Sequence, residues 1–219
     1  MNVDDAIRQR ISVRAFKPNP VPEQTVREIL DVARFAPSGG NLQPWKVIAV
    51  AGAERDTVSA LAQANLPGAE DDKPVYPANL WEPYRSRRFK VGEDMYALLG
   101  IGRDNRPARL MHLAQNFQFF GAPVGLFFVI DKGMGHGQWA HLGMFMQSVA
   151  LAAMERGVHS CMQEAWARMR APLAAHFALP ETEMIYCGMA LGYADMAKPV
   201  NMLRSDRANV DEFATFRGF

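Results

Sequence analysis

Apolar residues recur at helical spacing over residues 23–34, where Val26, Ile29, Leu30 and Ala33 stand at i, i+3, i+4 and i+7. That spacing places them on one face of an amphipathic helix. Residues 3–9, 93–101, 106–120 and 170–177 read as further helices. Apolar runs of strand length occupy 46–50, 124–130 and 185–193. The stretch 138–156 is different because it is almost uncharged: Gly143, Ser148, Ala150, Ala152 and Ala153 alternate with Leu142, Met144, Met146, Val149 and Met154. A helix apolar nearly all round has to be buried on all sides. A core helix in a monomer would meet that demand; the small residues favour a dimer interface, since they let a second helix approach closely. Gly157 closes the helix.

Proline punctuates the rest. Pro18 to Pro22 separate the first helix and an irregular basic segment, 10–16, from the second helix. Pro67, Pro74, Pro77 and Pro83 alternate with Tyr76, Trp81, Tyr84 and Phe89. So many prolines oppose a regular element, and so many aromatics oppose disorder. The expectation is an ordered, lid-like excursion over 66–92. The tail, 201–219, begins polar and ends with Phe213, Phe216 and Phe219. Three apolar strands separated by long helical stretches predict an α+β fold, with helices covering a modest sheet. No repeat or linker divides the 219 residues, so one domain over 1–219 is expected, with 200–219 as a C-terminal extension.

Composition mainly excludes. With 24 Lys and Arg against 23 Asp and Glu, the net charge of +1 creates no global field toward nucleic acid or an anionic membrane. The longest apolar run, 124–130, is far short of a membrane span. The acidic N-terminus does not resemble a signal peptide. Cys161 and Cys187 lie far apart and outside any C-x-x-C pattern, against a disulfide framework or thiol redox centre. A cytoplasmic protein without nucleic-acid or membrane partners is expected. The histidines (His112, His136, His141, His159, His176) lack metal-ligand spacing, so no metal is expected, and nucleophile and P-loop motifs are missing. If such a chain is an enzyme, it takes its chemistry from an organic cofactor.

Two patterns suggest which one. In Arg10-x-Ser12-x-Arg14, alternate residues of an extended segment converge two guanidinium groups and a hydroxyl, a set that suits phosphate. In Ala36-Pro37-Ser38-Gly39-Gly40-Asn41-Leu42-Gln43-Pro44-Trp45, small residues expose backbone between a helix and a strand. Together, in this order, they resemble the nitroreductase family of FMN-dependent oxidoreductases. The resemblance extends to the uncharged helix, to the segment around His159-Ser160-Cys161-Met162-Gln163-Glu164-Ala165-Trp166, and to Arg204 and Arg207 after the last strand.

The resemblance implies the nitroreductase α+β fold, a central mixed or antiparallel sheet under helices, and an intertwined homodimer with FMN at the interface. It implies that Arg10, Ser12, Arg14, Arg204 and Arg207 serve the FMN phosphate. Arg204 could equally pair with Asp206 or Asp211. Pro37, Ser38, Gly39, Gly40 and Asn41 would approach the flavin of the partner subunit. Gln163, Glu164 and Ala165 would form the turn whose backbone N–H faces flavin N5, although Ala165 replaces the family's usual glycine. Glu164 is read as a solvated carboxylate without a proton-transfer role, and flavin N5 rather than a side chain carries the chemistry. The implied activity is ping-pong reduction of a small aromatic acceptor, a nitroaromatic or quinone, by NADH or NADPH. Enone reduction, dehalogenation, flavin fragmentation and non-catalytic FMN storage remain alternatives. In the excursion, Tyr76, Trp81, Tyr84 and Arg88, with Arg85 and Arg87, are candidates to stack on and charge-pair an anionic aromatic. A solvated basic turn is the plainer reading of those arginines.

Overall fold

The computed structural model describes residues 1–66 and 76–219; the part of the expected lid that falls on residues 67–75 lies outside them. Four antiparallel strands, β1 (Lys46–Ala51), β2 (Val124–Asp131), β3 (His159–Gln163) and β4 (Glu183–Gly192), form one sheet in the order β1-β2-β4-β3. The helices are α1 (Val3–Gln9), α2 (Glu23–Ala33), α3 (Gly52–Asn65), α4 (Tyr84–Leu98), α5 (Arg106–Ala114), α6 (His136–Glu155) and α7 (Arg170–His176).

The continuous apolar run of β2 is explained by cover on both faces. Leu126, Phe128 and Ile130 point to a layer made with α2 and α6, where Ile29, Leu142, Phe145 and Val149 are buried. Phe127 and Val129 point to the opposite layer with Val58, Trp166 and Leu173. Two glycines make room there. A Cβ at Gly125 would stand 2.3 Å from the Phe119 ring, and one at Gly188 would stand 2.4 Å from Trp166.

Several elements depart from the sequence reading. The α3 helix was not foreseen, and β3 follows only from the family resemblance. Helix 93–101 begins much earlier, at Tyr84, so part of the presumed irregular excursion is α-helix. The described prolines of that stretch, Pro77 and Pro83, both precede the first helical residue, where a missing N–H costs no intrahelical bond. Glu82 strengthens the start by accepting from Ser86 N (3.3 Å) and from Arg85 Nε (2.7 Å). Helix 106–120 stops at Ala114 and continues as a 3-10 segment, Gln115–Gly121. Phe119 and Phe120, both with φ 52°, are left-handed there. Such residues cost about 1–2 kcal/mol each, offset here by burial of both rings.

Helix α6 is not buried on all sides. Within one chain Leu142, Phe145, Met146 and Val149 are buried, whereas Ala140, Gly143 and Met144 are exposed. Its end follows expectation: Gly157 has φ 68°, and Val158 N donates to Ala153 O (3.0 Å).

Two imidazoles are held toward their neutral form. Burial lowers the pKa of His159; burial, then the Arg14 cation, lowers that of His112. His112 Nε2 and His159 Nδ1 have no hydrogen-bond partner among the described residues. With folded values depressed, the unfolded chain takes up protons first as pH falls. Stability is therefore complete above the ordinary imidazole range and is lost as pH drops through about 6.5 toward the folded values. The urea midpoint is expected to fall between about pH 7.5 and 5.5, and less steeply in His159→Gln. Equal slopes for both proteins would remove His159 from this account.

Candidate functional site

Arg10, Ser12 and Arg14 leave α1 on an irregular segment that the rest of the chain clamps. Val13 is fully buried, and its N–H donates to Ser160 O (3.0 Å). Arg14 N donates to Asn201 Oδ1 (2.8 Å), while Asn201 Nδ2 donates to Ala15 O (2.8 Å) and Asp195 O (2.9 Å). Asn201 is 1% exposed, so this one amide staples the start of the chain to its tail. Nothing in the sequence pattern distinguishes it from the other polar residues of the tail.

The staple brings Arg10, Ser12, Arg14, Arg204 and Arg207 around one cavity of about 460 Å³. Arg14, Arg204 and Arg207 brace on main-chain oxygens: Ser12 O at 3.2 Å, Asn201 O at 3.1 Å and Ser205 O at 2.9 Å. Among the described residues, none of the four arginines is paired with a carboxylate. Arg204 does not pair with Asp206, which instead meets Lys90 at 3.0 Å. Burial, and then the neighbouring Arg207 cation, pushes Arg10 below the usual guanidinium pKa. With Arg8, which lines the same cavity, five cations collect without an ion-paired carboxylate among the described residues, a set that suits a phosphate dianion in charge and in donor geometry. The pKa of the buried Cys161 thiol is raised, chiefly by burial, with the Arg14 cation and the Ser12 hydroxyl acting in the opposite direction.

Helix α4 roofs this cleft. Val91 lines the first cavity and two neighbours of about 740 Å³ and 490 Å³. Arg14 and Leu203 continue into the larger of these. Tyr76 and Arg88 line both neighbours, the Arg88 guanidinium lying 4.1 Å from the Tyr76 ring centre. Trp81 and Tyr84 pack edge-on against each other at 5.5 Å and line none of the three cavities. Arg85 and Arg87 are ion-paired, with Glu82 (2.7 Å) and Glu212 (3.2 Å).

The loop after α2 sits elsewhere. Pro37 and Ser38 lead into a single 3-10 turn, Gly39–Asn41, in which Gly40 (φ 60°) and Asn41 (φ 53°) are left-handed. Ser38 Oγ accepts from Gln43 N (2.9 Å), and Gly39 N donates to His141 Nδ1 on α6 (3.3 Å). Within one chain this loop lines none of the three cavities. His141 is a second residue that sequence spacing missed, since its spacing to His136 speaks only against a metal site and for a surface or helix-start histidine. Loss of a neutral hydrogen bond of about 1 kcal/mol should speed amide exchange at Gly39 roughly fivefold in His141→Leu. His141→Asn, which keeps an acceptor, should stay near wild type. Equal exchange in all three would deny His141 this role.

Gln163 proves to be a strut. It is 1% exposed, its Nε2 donates to Asn116 O (2.8 Å), and its Oε1 accepts from Trp166 Nε1 (3.3 Å). With Trp166 seated over Gly188, this fixes the turn in which Glu164 and Ala165 open a 3-10 helix, Glu164–Met169. The first N–H groups of such a helix lack intrahelical acceptors. The Glu164 side chain reaches the surface, yet enough protein surrounds its carboxyl to raise the pKa by desolvation.

Comparison with known proteins follows the same outline. The model of the nitroreductase family matches residues 7–193. A 4-nitrobenzoate reductase of Pseudomonas putida is 38% identical over 99% of this chain and 96% of its own length. A nitrobenzene nitroreductase of Ectopseudomonas oleovorans is 34% identical over 98% and 96%. Among solved structures, the FMN and NADPH-dependent nitroreductase NfnB from sphigopyxis sp. strain HMH is 40% identical, covers both chains completely and superposes with a TM-score of 0.97.

Proposed function

The chain belongs to the nitroreductase family, and on that premise we propose that it is an FMN-dependent oxidoreductase using NADH or NADPH to reduce nitroaromatic acceptors, with quinones as a second acceptor class. The observation that carries this reading is the cleft of five arginines, Arg8 included, without carboxylate partners among the described residues. When bound there, FMN supplies the two-electron chemistry, taking hydride from a nicotinamide and passing it to the acceptor.

The chain's own residues bind and orient. Arg10, Ser12, Arg204 and Arg207 would hold the phosphate, and Arg14 would reach from it into the 740 Å³ cavity. The backbone N–H groups of Glu164 and Ala165 would meet the ring. Glu164 is assigned no proton transfer.

The active unit is read as a homodimer of single-domain subunits in the cytoplasm. Support comes from the uncharged, exposed face of α6 at Ala140, Gly143 and Met144, and from the exposed rings of Phe213, Phe216 and Phe219. A second copy would cover both. It would also give the loop of Pro37, Ser38, Gly39, Gly40 and Asn41 a flavin to approach, that of the partner. Among the described residues, no helix is long and apolar enough to cross a membrane.

Anaerobic titration of the purified protein with NADH and with NADPH, followed by 4-nitrobenzoate and a quinone, tests the reading. Bleaching of a flavin spectrum by a nicotinamide and its recovery on addition of acceptor are expected. A flavin that stays oxidised, or protein that rejects FMN, would overturn it.

A further inference from the structure

We propose that Arg88, stacked on Tyr76 in the lining of the 740 Å³ cavity, recognises a carboxylate on the acceptor, so that anionic nitroaromatics are the preferred substrate class. This rests on the reductase reading above and goes beyond it by naming the acceptor's charge and the residue that selects it.

Helix α4 carries four neighbouring cations, and three are neutralised. Arg85 meets Glu82 at 2.7 Å, Arg87 meets Glu212 at 3.2 Å, and Lys90 meets both Asp94 (2.6 Å) and Asp206 (3.0 Å). Arg88 is the exception: among the described residues it is ion-paired with no carboxylate, those of the 490 Å³ cavity being taken by Arg87 and Lys90, and its contact is the Tyr76 ring at 4.1 Å. A cation–π contact orients the guanidinium plane without discharging it, and leaves the N–H fork along the plane's edge free for a second partner.

The cavity beside that fork suits an aromatic ring. Leu80, Phe89, Met95 and Leu113 supply apolar wall. Its carboxylate, Glu93, is already bound by both terminal nitrogens of Arg109 (2.5 and 3.1 Å), which holds its pKa down. The second free cation in the cavity, Arg14, is shared with the phosphate cleft, so Arg88 is the charge left over once a phosphate is satisfied. An aromatic ligand entering here covers Arg88. A covered cation without a partner is costly, which disfavours a neutral ring; a carboxylate matches the fork bidentately.

The test uses 4-nitrobenzoate and its neutral isostere 4-nitrobenzamide on the FMN-loaded protein, with Arg88→Met, Arg88→Lys and, as a paired-arginine control, Arg85→Met. The ratio of kcat/KM for the acid over the amide is expected to favour the acid in the wild type. It should fall by about 30-fold in Arg88→Met, by less in Arg88→Lys, and stay unaltered in Arg85→Met. Benzoate, which cannot be reduced, gives an independent readout: its dissociation constant, followed by perturbation of flavin absorbance, should rise in parallel. An unaltered ratio in Arg88→Met overturns the proposal. So does a ratio change accompanied by weaker FMN binding, which would assign Arg88 to the cofactor, or by slower anaerobic reduction by NADPH, which would assign it to the reductant. If the wild type reduces neither acceptor, the reductase reading fails, while benzoate binding still decides whether Arg88 holds a carboxylate.

Discussion

Asn201→Leu is expected to cost about 2–3 kcal/mol of folding stability, because it strands the Arg14 amide and removes one of two donors from Ala15 O and from Asp195 O. Leucine has nearly the right volume but can neither accept from Arg14 N nor donate to Ala15 O and Asp195 O, which Asn201 now serves at 2.8, 2.8 and 2.9 Å. Ala15 O keeps the Asp195 N–H (3.0 Å) and Asp195 O keeps the Lys198 N–H (3.1 Å), so Arg14 N is the orphan. Stranding it costs about 1–3 kcal/mol, and the 1% exposure of the side chain leaves little room for water to substitute. Because the same amide anchors Arg14, FMN affinity should fall with stability. Urea unfolding without FMN, then flavin titration of the folded variant, separates the two effects. Asn201→Asp retains the acceptor for Arg14 N while losing both donors, and should bind FMN better than the leucine variant. A loss of less than about 1 kcal/mol in Asn201→Leu would show that the two segments are held together by other contacts.

Arg10→Gln should act in opposite directions on cofactor and protein. Burial and the Arg207 cation already penalise the charge of Arg10, so its removal relieves repulsion and should leave the FMN-free protein as stable as before or more so. FMN binding should weaken by about 30- to 100-fold, the equivalent of a hydrogen bond to a charged group. Riboflavin, which has the ring and ribityl chain but no phosphate, provides the control. Its affinity should hardly change, so the preference for FMN over riboflavin should shrink by the same factor. Equal weakening of both ligands would move Arg10 away from the phosphate.

Much of this site was legible before folding, though unevenly. The convergence of Arg10, Ser12 and Arg14 with Arg204 and Arg207 agrees with the sequence reading, because each segment states its own charge and the resemblance states their order. The acceptor side was less legible. Six aromatic and basic residues were candidates; Tyr76 and Arg88 line both outer cavities, Arg85 and Arg87 one each, and Trp81 and Tyr84 neither. Arg85 and Arg87 differ from Arg88 in having Glu82 and Glu212 within reach, and Glu212 lies 125 residues along the chain from Arg87. Gln163 is expected from sequence in the turn that faces the flavin; that its side-chain amide braces this turn on Asn116 and Trp166 shows only in the fold.

What the sequence determined by itself is local. Apolar period set the α2 helix and the β2 strand, glycine ended α6 at Gly157, and small residues opened the backbone between Pro37 and Asn41. These follow from φ/ψ limits and side-chain spacing, which neighbouring residues dictate among themselves. Tertiary structure decided which charges remain without partners, which face of α6 stays exposed, and where α4 lies over the cleft. Those outcomes depend on contacts such as Arg14 to Asn201, 187 residues apart. Only a folded chain brings such partners to hydrogen-bond distance, and whatever it leaves unpaired there is available to a ligand.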